Sequence, residues 1–135
     1  MDNPRTFSRA PALARAAEAM LRAVGGDQVV LHCRVGPAAA EQARELGQSA
    51  PAVEDLTVSP VVGRPLPQTT SGLRVELLIA RRSLARFLAD RNQSAEDFFA
   101  AVLGLDFAGR TLHIERVTPE ALGGDVFLYR VLACE

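Results

Sequence analysis

The sequence has no lysine and no tryptophan, a single tyrosine and only two cysteines. Two thiols, Cys33 and Cys134, are too few for a disulfide framework. Both lie in apolar runs and read as reduced core or interface residues, which fits a reducing compartment. No stretch approaches the ~20 consecutive apolar residues of a membrane-spanning helix. The first 26 residues have no continuous apolar region and carry Glu18 in their middle, so they do not read as a secretory signal. An excess of one charge is missing too: 15 basic and 16 acidic residues give a net charge of −1, with no global attraction to nucleic acid. Every basic residue is arginine, and with so much alanine this reads as coding bias rather than selection for guanidinium chemistry.

Catalytic and ligand motifs are equally scarce. There is no CxxC, HExxH, GxSxG, GxxxxGK or GxGxxG. His32 and Cys33 are neighbours in a strand pattern, so they point to opposite faces and do not share an ion. Cys33 and His113 lack any third group that would activate them. Glu54-Asp55 and Glu96-Asp97 are adjacent pairs whose side chains diverge, so neither is a two-carboxylate site. Arg64, Arg74, Arg81, Arg82, Arg86 and Arg91 form a local basic bias without interleaved aromatics, which reads first as a solvated face and second as passive contact with a DNA backbone. No catalytic residue, metal or cofactor is expected.

What is present is a chain of 135 residues, 48% apolar, enough for one domain with a core. Residues 10–24 form an amphipathic helix within an N-terminal helical arm, 1–26. Residues 27–35 alternate as a strand with Val29, Leu31, Cys33 and Val35 inward. Residues 36–72 read as a long irregular region: a short helix at 38–46, a β-prone stretch at 53–62 that Pro60 restricts to an edge or a bend, and a Gly/Pro/Thr-rich loop at 63–72. Residues 73–80 are the clearest strand. Helices are expected at 83–92 and 94–104, the second capped by Ser94 with Asp97 and closed by Gly104. A hairpin ends the chain, with strands at 111–117 and 126–134 around a turn at 118–125. Its last strand is apolar on both faces, and such a strand is buried on both. The helices could cover one face; a neighbouring subunit is the other solution, with Phe127, Tyr129 and Val131 as its candidate interface.

The segments "LTVSPVVGRP" (56–65), "VELLIARRSLARFLADRNQSAEDFFAAVLGL" (75–105) and "GRTLHIERVTPEALGGDVFLYRVLACE" (109–135), in that order, resemble the small head–tail connector proteins of tailed bacteriophages and prophages, the head-completion (stopper) and head–tail joining proteins. The hairpin carries most of the likeness. The resemblance implies a small antiparallel β-barrel or sandwich; with the helices read above, which the resemblance does not require, the expected fold class is α+β, with an N-terminal helix and two short helices between strands. The resemblance also implies a non-enzymatic virion component, assembled in the bacterial cytoplasm as a homo-oligomeric ring. Portal, adaptor or tail proteins would be its partners, DNA its passing, non-specific cargo, and no membrane would be involved. A projecting channel loop falls, by position, on Arg64, Pro65, Leu66, Pro67, Gln68, Thr69 and Thr70. Two other readings compete: a monomeric ligand- or peptide-binding β-domain with a pocket between the 29–35 and 73–79 faces, and a small hydrolase using Cys33 or His113.

Overall fold

A computed structural model describes residues 10–49, 52–67 and 72–135. Among these residues, four helices and six strands follow one another as α1 (Ala10–Ala23), β1 (Asp27–Arg34), α2 (Pro37–Glu45), β2 (Val53–Pro65), β3 (Arg74–Ala80), α3 (Arg81–Arg91), α4 (Ala95–Ala100), β4 (Val102–Phe107), β5 (Arg110–Leu122) and β6 (Asp125–Cys134). The strands close into an antiparallel barrel in the order β1-β2-β3-β6-β5-β4. The fold is thus an α+β small barrel with an N-terminal helix.

The barrel follows from alternation. Val29, Leu31 and Cys33 of β1, Val75, Leu77 and Ile79 of β3, and Val131 and Ala133 of β6 all point inward and are sealed from solvent. Leu84 of α3 and Phe98 of α4 join them. Phe98 is fully buried and stacks edge-on against Phe99, which stacks in turn against Tyr129. Burying a ring of this size stabilises the fold by roughly 1.5–3 kcal/mol. Outside the barrel, α1 lays its apolar stripe across β6, β3 and β2, with Leu21 against Ala80, Leu128 and Phe127.

Two features bend the sheet into closure. Asp27 of β1 pairs with Val61 while Val29 pairs with Val58, so β2 carries an extra residue where the cis Ser59–Pro60 peptide falls. A side chain on Gly26 would meet Pro60 at 2.5 Å, so only glycine lets the chain pass. The β4–β5 and β5–β6 connections are two-residue turns at Ala108-Gly109 and Gly123-Gly124, all four residues with positive φ. That is the hairpin geometry that matches strand twist, and Ala108 is the only residue of the four with a Cβ to strain it.

Several sequence expectations are corrected here. The 36–72 region is mostly regular. Arg64 and Pro65 are not loop residues: they end β2, paired with Glu76 and Val75 of β3. The connection proper starts at Leu66, whose amide donates to the carbonyl of Arg74. The expected helix at 94–104 stops at Ala100, and Gly104 lies inside β4. Ser94 does cap it, accepting from the Asp97 amide at 3.1 Å. The final turn is two residues, so β5 runs through Pro119 to Leu122.

Candidate functional site

The sequence puts Phe127, Tyr129 and Val131 at a subunit interface; the structure places Tyr129 and Val131 in the barrel interior, Val131 completely buried, and Phe127 against the cluster under α1. The strand is apolar on both faces because one face fills the core and the other is partly roofed by the chain's own α1, which covers Leu128 and packs with Phe127. Leu132 lies on the outer face beside Arg74 and Arg130. Of the expected channel loop, Arg64 is held by Glu76 at 3.1 Å. Pro65 is in the strand and Leu66 is tied to Arg74, while Gln68, Thr69 and Thr70 lie outside the described residues.

The faces of β1 and β3 that a ligand pocket would need are packed into the same core, with no residue among Val29, Leu31, Cys33, Val75, Leu77 and Ile79 more than 1% exposed. Cys33 points into this core, where burial pushes its thiol up to about 11, whereas His113 faces outward from β5. The two cannot cooperate as nucleophile and base.

The structure brings together a polar array that sequence alone does not show. His32 of β1 is flanked by Asp55 of β2, at 2.6 Å from Nδ1, and by Asp106 of β4, at 3.0 Å from Nε2. The Thr111 hydroxyl of β5 donates to the other Asp106 oxygen at 2.9 Å. The hydrogen bond to Asp55, then that to Asp106, raises the imidazole's pKa against the opposing effect of desolvation. The Thr111 and His32 hydrogen bonds lower that of Asp106. With both ring nitrogens occupied by carboxylates on opposite sides, no lone pair is left for proton abstraction, and no single ion touches all three groups. The array is a cross-strand tie over four strands. No metal-ligating group of three or more acidic, histidine or cysteine residues occurs among the described residues.

A second tie joins the helices to the barrel. Arg91, the last residue of α3 and 7% exposed, bonds Glu54 of β2 and the carbonyl of Arg34, and its Nε donates to Gln93 at 2.8 Å. Its guanidinium lies 5.7 Å from the Phe98 ring centroid.

A largely apolar cleft lies open beside the final hairpin. β4 pairs with β5 only over Leu105–Phe107 and Arg110–Leu112. From His113 to Leu122, β5 is paired to β6 alone among the described residues. Here the hairpin parts from the barrel wall and α4 stands opposite. Phe99, Ala95 and Ala100 on one side and Val117, Pro119, Val126 and Tyr129 on the hairpin enclose about 590 Å³. Its walls are largely apolar, with Glu96 at the rim as the charged group. Proline is tolerated at position 119 because its missing N–H falls on an unpaired edge.

No known protein-family model matches this sequence, and neither the curated proteins nor the solved structures compared with it give a match. Among the described residues, no helix is long and apolar enough to cross a membrane.

Proposed function

We propose that the chain is a non-enzymatic structural subunit of a phage head–tail connector, a head-completion protein or its neighbour, acting by assembly into a ring of copies against portal, adaptor or tail proteins. The observation that carries the reading is the β5 edge from His113 to Leu122, unpaired on its outer side among the described residues, with the apolar cleft beside it. Unpaired strand backbone next to an apolar recess is the usual receiver of another polypeptide. A filled barrel with His32 and Arg91 committed to structural ties supports a scaffold more than a catalyst. The resemblance of the segments at 56–65, 75–105 and 109–135 supplies the particular assembly, in which DNA is passing cargo. Docking thereby shifts from the inward faces of Tyr129 and Val131 to the hairpin's outer edge.

Mass photometry over a concentration series, with and without the assembled portal, tests the reading. The expected result is ring-sized species, abolished by Val117→Arg, which puts a charge in the cleft. A protein monomeric in both settings contradicts it. The cleft also favours a second reading, a monomeric peptide-binding domain; saturable binding of extended apolar peptides by a strict monomer, lost in Val117→Arg, is its signature.

A further inference from the structure

The arginines of this chain are not equally occupied. On the barrel face, Arg64, Arg74, Arg110 and Arg130 each meet a glutamate within 3.4 Å. Arg15, Arg81 and Arg86 form no ion pair among the described residues, and all three lie on α1 and α3; Arg34 and Arg116 are also unpaired but lie elsewhere. Arg82 has only a 3.9 Å contact to Glu18, which also meets Arg22 at 3.5 Å.

Arg15, Arg81 and Arg82 come together in one groove. It encloses about 590 Å³ between α1 and α3 and is lined also by Ala14, Ala85 and Asp125. The small side chains leave room for a bulky group, and Asp125 is the one carboxylate in the lining among the described residues. Among the described residues, Arg81 is held only by a 3.4 Å bond to the carbonyl of Val126. The backbone adds to the same sign. Arg81 and Arg82 open α3, a helix of 11 residues whose N-cap, Ala80, has no side-chain cap and whose first turn contains no acid. Two cations at the positive end of a helix dipole are an unfavourable arrangement that a bound anion reverses. Within a chain of net charge −1, this concentrates positive potential on one face.

We infer that the α1–α3 groove binds the phosphodiester backbone of duplex DNA, through Arg15, Arg81 and Arg82 and without reading bases. The choice of duplex DNA as the polyanion rests on the connector reading; the groove and its charge do not. Contact is through guanidinium to phosphate oxygen, so affinity is weak, independent of sequence and steeply dependent on salt. Nothing aromatic lines the groove among the described residues, so single strands gain no stacking from them.

The test is fluorescence anisotropy of the full chain with a labelled duplex of random sequence across a salt series. Competitors are single-stranded RNA and poly-glutamate. The expected result is binding at low salt with a log–log slope of about −2 to −3, from two or three phosphates. Affinity falls at least about ten-fold in the Arg15→Gln/Arg81→Gln/Arg82→Gln variant and is unchanged in Arg64→Gln/Arg110→Gln. Amide NMR shifts on DNA addition to the unmodified protein, confined to α1 and the start of α3, keep the test valid if the triple variant fails to fold. Absence of duplex binding at low salt, an unaltered triple variant, shifts elsewhere, or tighter binding of RNA or poly-glutamate overturns the inference. Loss of DNA binding with ring assembly intact removes this inference alone; loss of assembly removes the connector reading whatever the DNA result.

Discussion

Replacing Val131 by alanine separates the two places this side chain could occupy. In the barrel it is fully buried, opposite Leu77 on β3 and Val117 on β5. The change removes two buried methyl groups, about 0.8 kcal/mol each by transfer. A cavity term follows because six strands cannot all collapse inward. The sum is roughly 2 kcal/mol. With a urea m-value of about 2 kcal/mol/M for a chain of this size, the unfolding midpoint falls by about 1 M. Because the loss is internal to one subunit, the fall is the same at micromolar and at much higher protein concentration. Urea unfolding followed by circular dichroism at two concentrations measures it, with Arg130→Ala on the exposed face as the control. A midpoint unchanged within about 0.2 M, accompanied by weakened association, would mean that the strand faces the other way and that the barrel register is wrong.

Arg91→Met leaves Glu54 and the Arg34 carbonyl without their partner and should cost about 2 kcal/mol by the same assay, because a buried charge-assisted bond is lost. The His32 tie gives a pH signature. Its folded pKa is raised, so its contribution is complete below the ordinary imidazole value of 6.5 and disappears as pH rises through the folded value. The stability difference between His32→Gln and the parent protein should therefore be larger at about pH 5.5 than at pH 9; a pH-independent difference would break the assignment. Native thiol titration should find Cys134, half-exposed, reacting before Cys33, which reacts only on unfolding. Ala108→Gly should stabilise the protein by about 1 kcal/mol, by relieving the left-handed strain at the first residue of the β4–β5 turn.

Periodicity made the inward faces of β1 and β3 legible, since alternation along Val29–Cys33 and Val75–Ile79 needs no knowledge of partners. It also located α1 and the Ser94 cap. The strand β4 escaped because "AAVLG" continues the helical pattern of "AEDFF". Only pairing of Val102–Asp106 with β1 decides in favour of the strand, and that is a tertiary choice. Pro65 and Pro119 read as breakers, yet both sit within strands. Alternation along the last strand shows two apolar faces, but which element covers each face depends on the closure of the barrel. The His32 array was invisible because its three partners come from three other strands and meet only through register. Arg91 looked like one arginine of a basic run until Glu54 and the Arg34 carbonyl were placed around it.

On the proposed reading, β5 offers an edge, open among the described residues, which a neighbouring polypeptide completes. Hydrogen–deuterium exchange, read on peptides covering His113–Leu122 in dilute and in assembled protein, addresses it directly. In dilute protein, peptides from β6 should be protected and those from the outer half of β5 only partly so. On assembly, β5 should gain protection while β6 stays unchanged. A β5 segment already fully protected in the dilute protein, or one that gains nothing on assembly, would contradict the account.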